Sequence, residues 1–213
     1  MGLRTHLYLV DRGALVSALD GLVPTEELVE RAVEGWCRHR RADPVAVEKV
    51  RAEFDRIAHQ HLAILRDGGT PVHRGEVDPY SEEAAQDEEL TYKLESFLES
   101  LCLGYCKELL LDEHSFELYW DLVKEPEANG ITPDVAEFLQ KMVGGRHPNG
   151  DAMVLVEACF GFLFPDEAVE VFLATRHNPK MRPTLKKGWD EKILQSMNRK
   201  LQEGDAFFFW SCD

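Results

Sequence analysis

A mostly α-helical fold, closed by a minimal sheet made from the two ends of the chain, is what this sequence predicts. Three observations lead there. Apolar residues recur at helical spacing in a succession of segments, most with their own start and stop residues. Only two stretches read as strands, Leu7-Tyr8-Leu9-Val10 near the start and Ala206-Phe207-Phe208-Phe209-Trp210 near the end. The second is an aromatic run that would aggregate as an exposed edge, so the two are expected to pair with each other. About seven or eight helices on such a sheet make the class mostly α (α+β), and the absence of a clean Ser, Gly or Pro-rich linker predicts one globular domain over residues 1–213.

After the first strand, Asp11-Arg12-Gly13 reads as a turn into a brief helix through Leu15, Val16 and Leu19. Pro24-Thr25-Glu26-Glu27 starts the next helix, which carries Leu28, Val29, Ala32, Val33, Trp36 and Cys37 and closes on Arg38, Arg40 and Arg41. Cations in a last turn complement the helix dipole, so this basic cluster reads as structural. Asp43 as N-cap and Pro44 at the first position open a helix that Gly68-Gly69 stops. Ser81-Glu82-Glu83 opens a long helix through Tyr105, with Gly104 placed to bend it. Phe116, Tyr119, Trp120 and Val123 form the apolar face of a shorter helix that Pro126 ends. Thr132-Pro133-Asp134 and Gly144-Gly145 bound another. Residues 151–164 are apolar all round, the pattern of a central covered helix, and 166–175 continue as a separate amphipathic segment after Pro165. Trp189, Ile193, Leu194, Met197 and Leu201 mark a last helix before Gly204.

Composition narrows the class further. At 213 residues and 44% hydrophobic content the chain can bury a core unaided. Its longest apolar run, 152–164, includes Glu157 and falls short of the ~20 residues a membrane-spanning helix needs. Charges at Arg4, Asp11, Arg12 and Asp20 interrupt any leader-like core, which points to the cytoplasm. Five cysteines without framework spacing read as reduced thiols. In outline the chain resembles small bacterial cytosolic domains, a likeness of architecture that assigns no residue a role.

Charge is regional. Residues 71–175 hold 23 Asp and Glu against 6 Lys and Arg, whereas 1–70 hold 11 against 10 and 176–213 hold 5 against 8, for a whole-chain net of −15. Such a field repels phosphate and anionic lipid and attracts basic surfaces, so nucleic acid and membrane are not expected partners and a basic protein is. Two acidic groups stand out as a partner-binding surface. Asp87, Glu88 and Glu89 form the densest acidic block beyond the first turn of the long helix. Glu113, Glu117, Asp121 and Glu125 fall at successive i, i+4 positions, a like-charge stripe that costs roughly 0.2 to 0.5 kcal/mol per pair in an isolated helix.

No catalytic or metal-binding signature is present. Cys102 and Cys106 lie one turn apart without a second ligand pair, so neither a metal nor a cofactor is expected. The 145–151 loop, Gly-Arg-His-Pro-Asn-Gly-Asp, copies the glycine spacing of a phosphate loop but puts Asp151 where a lysine is required. Two readings of function follow. The first is a non-enzymatic interaction or regulatory module that binds a basic partner, including a masking or toxin-neutralising role. The alternative is a small-molecule enzyme or ligand sensor with a pocket near Arg146, His147 and Glu157, the last a carboxyl whose burial would raise its pKa. Sequence leaves oligomeric state and enzymatic activity open.

Overall fold

A computed structural model describes residues 4–38, 40, 43–66, 82–113, 116–143, 145–148, 150, 159–178 and 204–212. In chain order these form β1 (Arg4–Asp11), α1 (Arg12–Leu19), α2 (Thr25–Cys37), α3 (Pro44–Gln60), α4 (Leu62–Arg66), α5 (Glu82–Gly104) and β2 (Cys106–Glu113). They continue with α6 (Phe116–Lys124), a 3-10 turn (Glu127–Asn129), α7 (Pro133–Val143), β3 (Cys159–Leu163), α8 (Pro165–His177) and β4 (Asp205–Cys212). The fold is mostly helical with one small antiparallel sheet that includes both terminal strands. Contacts divide the chain into two compact units, one of Met1–Gly13, Cys106–Gly150 and Cys159–Asp213, the other of Ala14–Tyr105 and Asp151–Ala158.

In the first unit the sheet order is β2-β1-β4-β3, all antiparallel. The expected pairing of the terminal strands is present, with Leu7 opposite Phe209 and Leu9 opposite Phe207. The sheet is larger than two strands, however. Residues 159–163, expected as part of a central helix, form β3, and 106–113, whose ends Cys106 and Glu113 are each expected on a helix, form β2. β3 misleads because side chains on both its faces are buried: Phe160 and Phe162 lie on one side, beside Phe208 at 5.8 and 5.1 Å between ring centres, and Leu163 turns to the other. A strand covered on both faces loses the alternation that identifies strands in sequence. β2 also ends the acidic stripe early, because Glu113 belongs to this strand and α6 begins only at Phe116.

One face of the sheet carries Leu7, Leu9, Phe207, Phe209 and Leu163, covered by apolar residues of α6, α7 and α8. Tyr119 of α6 meets Phe209 edge-on at 5.7 Å, and Phe172 of α8 meets Phe207 at 6.4 Å. Gly161 is the point of closest approach: a β carbon there would lie 2.1 Å from the Lys141 carbonyl oxygen at the end of α7. At the sheet's end Lys107 of β2 donates to Asp205 (2.7 Å) and pairs with Asp11 (3.1 Å), which are register partners on β4 and β1.

The second unit is helical. Asp43 caps α3 by accepting from the Val45 and Ala46 amides at 2.9 and 3.0 Å, with Pro44 in the first turn as expected. That helix does not run unbroken towards Gly68: it stops at Gln60, and α4 restarts after His61. α2 packs on both α3 and α5. Phe54 and Phe97 meet edge-on at 5.2 Å across α3 and α5. Gly104 ends α5, and α2 passes so close that a β carbon on Gly35 would fall 1.8 Å from the Ser100 carbonyl oxygen.

Candidate functional site

The outer faces of α2 and α3 build a groove of about 330 Å³ lined by Glu26, Val29, Glu30, Glu48, Arg51, Ala52 and Asp55. Helical spacing explains its lining. Glu26 and Glu30 are one turn apart on α2, and Glu48, Ala52 and Asp55 follow at i, i+4 and i+7 on α3. Burying Leu28 and Ala32 on the far side of α2, with Phe54 and Ile57 on the far side of α3, leaves these carboxylates facing solvent. Four carboxylates and one guanidinium therefore share the groove. Arg51, 34% exposed, donates to Glu30 of α2 and lies 3.8 Å from Glu48 on its own helix. Chemically such a groove accepts cations, and Val29 and Ala52 offer an apolar floor for the methylene stems of lysine or arginine.

None of these residues stands out in sequence, because residues 1–70 are nearly neutral as a whole. The only available signal is the i, i+4 pair Glu26 and Glu30 with the i, i+7 pair Glu48 and Asp55, and their convergence is a tertiary event.

The sequence-derived acidic surface is spread over several elements. Asp87, Glu88 and Glu89 lie on α5, Glu113 on β2, and Glu117 and Asp121 on α6. Lys93 donates to Glu89, and this bond followed by the lysine's charge holds the Glu89 carboxyl below the usual carboxylate range. Asp121 is exposed, and Glu125 lies just past the end of α6. No single stripe therefore joins Glu113, Glu117, Asp121 and Glu125.

Arg146 and His147 are both buried in the turn after α7. Glu167, three residues into α8, accepts from the Phe164 amide (2.9 Å) and from Arg146 Nη1 (2.5 Å). Arg146 Nε donates to the Gly150 carbonyl at 3.0 Å, and Arg12 Nε donates to the Pro148 carbonyl. Both guanidinium groups lie over the Phe164 ring, at 3.9 Å for Arg146 and 4.7 Å for Arg12. Burial first, and the charge of Arg146 second, lower the Arg12 pKa. These bonds fasten the 145–150 turn to α8 and to the start of α1. Glu157, the third residue of the expected pocket, lies outside the described residues.

Among the described residues no cluster of His, Cys, Asp and Glu is arranged to hold a metal ion, and no helix is long and apolar enough to cross a membrane. Compared with protein-family models, curated proteins and solved structures, the chain matches none of them.

Proposed function

We propose that this chain is a non-enzymatic cytoplasmic interaction module that docks a basic protein segment in the α2/α3 groove. The observation that carries the reading is the excess of four carboxylates over one guanidinium in a concave, partly apolar cleft. Lysine or arginine heads meet Glu26, Glu48 and Asp55 while their stems lie along Val29 and Ala52. The whole-chain charge of −15, with exposed Glu89 and Asp121 elsewhere, steers such a partner before contact. Covering a cationic segment in this way masks it, which suits a regulatory or neutralising role.

The test titrates a labelled ten-residue lysine-rich peptide against wild type and two variants of equal charge. One removes groove carboxylates (Glu26→Gln, Glu48→Gln, Asp55→Asn), and the other removes Asp121, Glu125 and Glu127 as their amides. The expected result is weaker binding for the groove variant than for the second variant, with affinity falling as salt rises from about 20 to about 300 mM. Equal affinity in the two variants would sink the assignment to the groove.

A further inference from the structure

We infer that Arg51 is a built-in competitor for the groove, an internal cation that an incoming basic segment must displace. The inference rests on the groove reading above and adds a regulatory contact to it. Among the described residues Arg51 is the only cation in the lining, and it is held by carboxylates of both helices, Glu30 across the groove and Glu48 one turn back on α3. Its side chain is 34% exposed beside partners that are 55% and 75% exposed, so water reaches the pairs and they exchange readily. A guanidinium so placed shows the binding preference of its neighbours: Glu30 and Glu48 engage a planar cationic donor from the protein itself. Glu26 and Asp55 are the remaining described acids of the lining; neither has a salt bridge to Arg51, and Asp55 lies 3.5 Å from the exposed ring of His59 one turn on. An arriving cation therefore engages that pair first and completes its contact by exchanging with Arg51 at Glu30 and Glu48. The device sets a threshold. A single cation gains little from exchange, whereas a segment carrying several cations gains contacts that Arg51 alone does not supply.

The experiment measures binding of the same lysine-rich peptide to wild type, Arg51→Gln and Lys49→Gln. Lys49 is exposed on the same helix and outside the groove lining, so it controls for the loss of one positive charge. Arg51→Gln is expected to bind about three- to fivefold tighter than Lys49→Gln, the factor that release of a weak exposed pair supplies. Equal affinity of these two variants overturns the competitor role; if the triple groove variant has meanwhile lost binding, the docking site itself stands. If the triple variant binds as wild type does, both readings fall together. Arg51→Met, which keeps the aliphatic stem, carries the comparison if Arg51→Gln loses its cooperative thermal transition.

Discussion

Gly35 of α2 and Gly104 at the end of α5 are in backbone contact, with no room for a side chain on either. A β carbon on Gly35 would lie 2.5 Å from the Gly104 nitrogen, and one on Gly104 would lie 2.1 Å from the Arg31 carbonyl oxygen. The helices of the second unit approach to this distance only because both positions are glycine.

Gly35→Ala and Gly104→Ala are each expected to destabilise the protein by about 3 kcal/mol or more, at the upper end of overpacking costs, because the obstructing atoms are backbone and cannot rotate away. Gly161→Ala should behave alike, for the same reason, against α7. Gly13→Ala is the control, since its β carbon would meet nothing closer than 3.7 Å. Denaturant midpoints of the four variants decide it, and a Gly35→Ala midpoint equal to that of Gly13→Ala would contradict the close approach.

The Arg146–Glu167 pair predicts a second asymmetry. Both side chains are nearly buried, at 7% and 10% exposure, so removing one leaves the other without its closest charged partner. Arg146→Met should cost about 3 kcal/mol, whereas Arg146→Met with Glu167→Met should recover part of the loss. Urea unfolding of the two singles and the double measures the coupling. Additive losses would mean that the pair does not act as a unit.

Lys107 gives a pH dependence of known sign. Its hydrogen bond to Asp205, outweighing the effect of burial and aided by Asp11, raises its pKa above the usual lysine value. A group raised in the folded state contributes stability that is complete below its unfolded pKa, about 10.4, and is lost as pH rises through the folded value. Wild type should therefore lose thermal stability across that alkaline window more steeply than Lys107→Gln. At pH 7 the variant should already melt lower, by about 1 kcal/mol after allowance for solvent screening of a one-third exposed ammonium. Parallel melting curves for the two proteins at high pH would exclude the contribution.

Removing residues 207–213 deletes most of β4, which lies between β1 and β3 and carries Phe207, Phe208 and Phe209, all buried. The shortened chain should show no cooperative transition for the sheet unit. A retained full transition by calorimetry would show that the terminal strand is dispensable.

Elements with chemical punctuation were legible in the sequence. α7 begins at Pro133 after Thr132 and ends at Val143 beside Gly144, and α3 begins with the Asp43 cap and Pro44, because these residues act locally. The β1–β4 pairing was legible because an aromatic run of strand length needs a partner. What failed was decided at long range. β3 has apolar neighbours on both faces and so shows no alternation, and the apolar part of β2, Leu109-Leu110-Leu111, is too short to separate from its helical surroundings. The groove was illegible for a related reason: Glu26 and Asp55 belong to a nearly neutral stretch, and only the packing of α2 on α3 brings them together. Arg146 and His147 could be singled out as an unusual turn, but their burial beside Glu167 follows from how α8 returns to that turn.

The position of β1 also sets the tempo of folding. Leu7 is flanked by Leu111 on one side and Phe209 on the other, so neither neighbour can arrive until a very long stretch of chain has been brought round. Closing loops of that length is entropically slow, while contacts along each helix form at once. Sheet assembly is then the late, rate-limiting event, and until it happens the aromatic residues of β4 are exposed to other chains at their most adhesive.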